Sequence, residues 1–133
     1  MPDLVADTHA VVWYLSEPER LSPSARTAFV EAAETGSRVY LSAISLVEIQ
    51  YLTEKGGLPP LVGSLLREAI DGPEAPCFVL PVDRAVAEFV ARIPRSVVPD
   101  MPDRIIAATA LALNLPLVTR DAQIHASGIP VIW

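Results

Sequence analysis

Asp7, Glu48, Asp103 and Asp121 are far apart along the chain. Each nevertheless stands at the end of an apolar run or in the opening turns of an amphipathic one. Carboxylates are hard oxygen ligands; several brought together bind a divalent cation, and such a site polarises phosphate and activates water. Each acid also has a plain structural reading. Asp7 and Asp121 suit turns or helix N-caps. Ser45-Leu46-Val47-Glu48 has the spacing of a capping box, with Glu48 reaching back to its helix start. Asp103 suits a helix N-terminus through the macrodipole.

Helical spacing weighs against capping alone. With side chains about 100° apart around the axis, Val47, Ile49, Tyr51 and Leu52 form an apolar arc with Glu48 near its middle. Gln50, Thr53 and Glu54 lie opposite. Asp103 heads the inward row Ile106, Ala107 and Ala110. Acids on core-facing rows need a partner, because an unpaired buried charge is costly. Lys55 is the chain's sole lysine, so lysines do not supply that partner. Two carboxylates about 5 Å apart repel by roughly 3 kcal/mol at an effective dielectric of 20. Clustered acids therefore hold protons to higher pH or take up a cation such as Mg²⁺, which binds one or two carboxylates and keeps several waters.

The elements that must position these acids are legible as short apolar runs between helical patterns. Residues 4–6 read as a buried strand ending at Asp7, followed by a helix capped by Thr8 and running to about Leu15. A second helix opens at Ser22-Pro23 and ends near Glu34, before Gly36. Further strands are expected at 39–41, 77–80, 117–118 and 131–132. Further helices are expected at about 44–55, 61–70, 83–93 and from Asp100 or Met101 to Asn114. This alternation predicts an α/β fold with a parallel sheet covered on both faces. Ligands of such sheets bind beyond the C-terminal strand ends. Asp7 follows the first strand, Glu48 lies in the turns after the second, and Asp121 follows the fourth. Asp103 opens the helix leading into the fourth, so all four should meet on one sheet edge.

The 133 residues suit a single domain, 1–133, and 51% are hydrophobic, enough for a packed core. A lone cysteine, Cys77, forms no intrachain disulfide and fits a reducing cytosol as a small buried residue. Asp3 and Asp7 replace the basic flank of a signal peptide, and the apolar run 105–113 is too short to span a bilayer. A cytoplasmic protein without a membrane segment is expected. The net charge of −6 argues against broad non-specific nucleic-acid binding. It leaves room for an enzyme that holds nucleic acid through cations and a few arginines, and it suits a basic protein partner.

Four segments, Leu4-Val5-Ala6-Asp7-Thr8-His9-Ala10, Leu41 to Ile49, Asp103 to Ala110, and Leu117-Val118-Thr119-Arg120-Asp121, resemble the ordered signature segments of PIN domains. The resemblance covers essentially the whole chain, and the compact form is similar to the VapC toxins of toxin–antitoxin pairs. It implies a three-layer α/β/α sandwich around a central, mainly parallel sheet of four to five strands. It also implies Mg²⁺- or Mn²⁺-dependent endonucleolytic cleavage of RNA, a homodimer, and a VapB-type antitoxin. By position, Asp7, Glu48, Asp103 and Asp121 match the family's acidic quartet, and Thr119 matches its Ser or Thr near the last acid. Asp100 is an extra acid that helps through water or caps the helix, capping being favoured.

Arg104 and Arg120 adjoin the acids, where they grip flanking phosphates or are solvated surface charges. His9 reads as packing beside Trp13 rather than as a general base. Trp13, Tyr14, Tyr51 and Trp133 read as core or interface residues, and the region from Leu58 to Ile70 as a dimer face. A haloacid-dehalogenase-like phosphatase needs a second Asp where His9 stands. A receiver-type module needs paired acids after the first strand and a late lysine, neither of which this chain has. A non-catalytic domain whose acids all cap helices, and a PIN ribonuclease of RNA processing without a toxin role, are the remaining alternatives.

Overall fold

Residues 3–133 are described by the computed structural model. Strands β1 (Leu4–Ala6), β2 (Val39–Ser42), β3 (Cys77–Leu80), β4 (Leu117–Val118) and β5 (Val131–Ile132) form one sheet. Their order is β3-β2-β1-β4-β5, and every neighbouring pair is parallel. The helices are α1 (Thr8–Ser16), α2 (Pro23–Thr35), α3 (Ala43–Glu54), α4 (Pro60–Asp71), α5 (Arg84–Phe89), α6 (Met101–Leu113) and α7 (Ala122–Ala126). The expected α/β/α sandwich is therefore present, with a wholly parallel five-stranded sheet.

Alternation along the strands sorts the core into two layers. Leu4, Ala6, Val39, Leu41, Cys77 and Val118 pack with α1, α2 and α4 residues such as Val11, Phe29, Val62 and Leu66. Val5 and Leu117 point the other way, onto Val86, Ile106, Ala107, Ala110 and Ile124 from α5, α6 and α7. Both layers bury the middle strands, which is why β1 and β4 are apolar without polar interruption. Helix α3 adds Ile49 to the first layer and Ile44 to the margin of the second. Among the described residues, no helix is long and apolar enough to cross a membrane.

The chain builds β1, β2 and β3 outward in one direction, then returns to the far side of β1 with β4 and β5. The order reverses at β1, and the crevice beyond the C-terminal ends of β1 and β4 is the switch point where open α/β sheets take ligands. Asp7 and Thr119 are the residues that immediately follow those two strands.

Three local features depart from the sequence expectation. The 83–93 helix is shorter: α5 ends at Phe89 and tightens into a 3₁₀ turn, Val90–Arg92. Pro94 disfavours the helical region for the residue before it, and Ile93 is extended at φ −103°. Helix α7, with 5 residues, is too short to leave a periodic signal. Its one cue is its capping residue, Asp121. A further 3₁₀ turn, Pro18–Arg20, occupies the expected break after α1.

Candidate active site

Beyond the ends of β1 and β4 lies a cleft of 460 Å³ lined by Asp7, His9, Ala10, Trp13, Glu48, Asp103, Arg120 and Asp121. All four expected acids face it. They arrive from the end of β1, the second turn of α3, the first turn of α6 and the cap of α7.

Asp7 is the most enclosed, 7% exposed. Its Oδ1 accepts from the Thr8 backbone N–H at 2.7 Å and its Oδ2 from the Thr119 hydroxyl at 2.6 Å. Asp7, not Thr8, is therefore the N-cap of α1. The Thr119 hydroxyl also accepts from the Asp121 N–H at 3.0 Å, tying the two strand ends together across the switch point. Asp121 caps α7, its Oδ1 accepting from the Ile124 N–H at 2.9 Å. Thr119 is thus a bridge between two acids, which gives its expected accessory position a physical role.

Glu48 accepts at Oε1 from the Thr8 hydroxyl at 2.6 Å, so it does not complete a capping box. The cap of α3 is Ser42, whose Oγ accepts from the Ile44 N–H. The expected apolar arc is also displaced. Val47 and Tyr51 are exposed, while Ser45 and Ile49 are buried and Leu52 is half-buried. Glu48 lies on this second row, because residues three and four apart share a helix face. The arc was misplaced since Val47 and Tyr51 are apolar yet face solvent.

Asp103 is half-buried, and among the described residues its carboxylate accepts no hydrogen bond. Burial first, then the charges of Asp7, Asp100, Asp121 and Glu48, push its pKa from 3.8 to about 7. The Asp7 carboxyl is also raised by burial, against the pull of the Thr119 and Thr8 hydrogen bonds and of His9, and Asp121 raises it further. Burial raises Glu48 too, opposed by the Thr8 hydrogen bond and reinforced by Asp7 and Asp100. Asp100 is exposed and caps α6, accepting from the Asp103 N–H at 3.1 Å. Capping is therefore its visible role.

Ion pairs among the described residues are Arg20–Glu17 and Arg84–Glu88, both on the surface, so none neutralises the quartet. The donor set is all oxygen, desolvated and mutually repelling, which fits a hard divalent cation. The acids are not, however, drawn into a ready cage. Among the described residues no three His, Cys, Asp or Glu side chains are grouped so as to hold an ion as they stand.

The two flanking arginines separate. Arg104 donates three hydrogen bonds to the carbonyls of Val90 and Ile93, at 2.8–3.0 Å, and does not line the cleft. The expected phosphate grip is corrected there: a guanidinium occupied by the Val90 and Ile93 carbonyls, at the 3₁₀ turn that follows α5, holds the fold. Arg120 does line the cleft, its guanidinium 4.9 Å over the Trp13 ring. Trp13 is buried and also carries Arg20 at 4.5 Å, while His9 packs 5.8 Å from it and Trp133 5.9 Å. The roles of Thr8 and Arg20 were not read from the sequence. Thr8 looked like an ordinary cap, and nothing local links Arg20 to the cleft.

The PIN-domain family model matches residues 4–128. Ribonuclease VapC22 of Mycobacterium tuberculosis is 28% identical over 138 aligned positions spanning the whole of both chains. The crystal structure of FitAcB from Neisseria gonorrhoeae has a chain 30% identical, with a TM-score of 0.62 over 98% of this chain and 96% of that one. The crystal structure of VapBC2 from Rickettsia felis bound to a promoter DNA fragment shares the fold, at a TM-score of 0.72 and 17% identity over 98% of this chain and 96% of that one. With the acids at the sheet's switch point and the family match running nearly end to end, the chain belongs to the PIN-domain family.

Proposed function

We propose that the cleft is the active site of a Mg²⁺- or Mn²⁺-dependent endoribonuclease, and that the protein is the cytoplasmic toxin of a type II toxin–antitoxin pair. The observation that carries this reading is the shared cleft of Asp7, Glu48, Asp103 and Asp121, four separated acids that form no ion pair among the described residues. The name of its relative ribonuclease VapC22 supports the substrate class and, with the resemblance to VapC toxins, the partner. The four carboxylates would hold the cation, which when bound polarises the phosphodiester and activates water. Thr119 keeps Asp7 and Asp121 in register, and Arg120 at the rim pairs with a flanking phosphate of unpaired RNA. A VapB-type antitoxin would neutralise the enzyme. The α4 face, with Leu61 exposed, is the proposed homodimer surface.

Glu48→Gln tests the reading. A purely structural Glu48 tolerates Gln, which still accepts from Thr8. As a cation ligand it does not. The expected outcome is a folded protein with Mg²⁺-dependent RNA cleavage reduced at least about 100-fold, in line with the loss of a group needed in the transition state. Undiminished cleavage by Glu48→Gln would remove Glu48 from the site.

A further inference from the structure

We propose that Thr8 is a positioning residue that sets Asp7 and Glu48 relative to each other and thereby fixes the cleft's affinity for its cation. The inference rests on the metal-nuclease reading. Thr8 is 1% exposed at the junction of β1 and α1. Its amide donates to Asp7 Oδ1 at 2.7 Å, and its hydroxyl donates to Glu48 Oε1 at 2.6 Å. A single residue therefore grips two acids that are 41 positions apart and carried on different elements.

The hydroxyl also lies 2.9 Å from Ser45 Oγ, which is fully buried one turn before Glu48. A hydroxyl has one proton. The ionised carboxylate, at the shorter distance, takes it in preference to the neutral serine. Ser45, buried and not lining the cleft, then packs against the threonine hydroxyl. All buried side-chain nitrogens and oxygens among the described residues have partners, so this arrangement leaves no orphan. The grip occupies one oxygen of Glu48 and leaves the other for the cleft. This is how a ligating carboxylate is oriented by a neighbour that never touches the ion.

Without that hydroxyl, Glu48 must be ordered by the cation itself, and binding weakens. Losses of about 10-fold to 100-fold in affinity are usual for such supporting groups. Mn²⁺ titrated into the full-length protein by calorimetry is the direct readout. Thr8→Val should bind Mn²⁺ at least about 10-fold more weakly than the wild type, while Thr8→Ser, which keeps the donor, stays within about 3-fold. Thr8→Ala, smaller than valine, serves as a second hydroxyl deletion should the branched side chain disturb folding. Circular dichroism without cation establishes that each variant is folded. RNA cleavage at saturating Mn²⁺ should recover most of its rate in Thr8→Val, separating lost positioning from lost chemistry. Wild-type affinity in both Thr8→Val and Thr8→Ala would overturn the role of Thr8 and leave the nuclease reading standing. A wild type that binds no Mn²⁺ would overturn both.

Discussion

The two walls of the cleft are built on opposite principles. On the β1–β4–α3 wall, Asp7 and Glu48 are held by short hydrogen bonds from Thr8 and Thr119, both buried. On the α6 wall, Asp103 has carboxylate neighbours and, among the described residues, no donor. The first wall spends hydrogen bonds to keep buried acids in place. The second leaves a half-exposed acid raised to a pKa of about 7, ready to exchange its proton for a cation. Burial raises all three acids, and hydrogen bonds to the charged form oppose that rise on the first wall only.

Taking the donor from the held wall should have the larger effect on the fold. Thr119→Val leaves the Asp7 carboxylate without its 2.6 Å donor and the Asp121 N–H without its acceptor. Unmet buried groups of this kind cost about 2–4 kcal/mol, more where a charge is involved. Urea unfolding at pH 8 should show a loss in that range. A loss below about 1 kcal/mol would mean that the two walls are not different in kind.

On the open wall the sign reverses. The Asp103 pKa is raised in the folded protein, from 3.8 to about 7. At pH 4 the folded protein keeps this acid protonated at little cost. The penalty for its ionised form builds as pH rises toward 7 and is constant above. Asp103→Asn removes the penalty, so the cation-free variant should be more stable than the wild type at pH 8 and not at pH 4. After discounting for water screening at a half-exposed site, the gain is about 1–2 kcal/mol. Thermal unfolding in EDTA across that pH range measures it, and a destabilised variant at pH 8 would refute the repulsive character of this wall.

The held wall was the less legible in sequence. The strand ends, the order of the helices and the four acids follow from apolar runs and helical spacing, because burial by two helical layers writes itself into composition. What the alternation could not carry is how side chains meet across elements. Ser45-Leu46-Val47-Glu48 matched a capping box, yet Glu48 pairs with Thr8 on another helix. Arg104 stood next to an acid and suggested phosphate, yet its partners are the carbonyls of Val90 and Ile93, at the 3₁₀ turn before Pro94. Asp121 was placed correctly beside the cleft, but the helix it caps was too short to see. Convergence on one cleft was legible; the hydroxyl and amide donors that hold the acids there were not.

The joint action of the two walls is tested most directly by counting protons displaced when Mn²⁺ binds. Calorimetric titrations in buffers of different ionisation enthalpy give that number. With Asp103 half-protonated near pH 7 and the Asp7 and Glu48 carboxyls also raised, binding should release at least about half a proton there and fewer at pH 9, with affinity rising over the same interval. Binding with no proton release at pH 7, or no saturable binding at either pH, would contradict a single cation site formed by the four carboxylates.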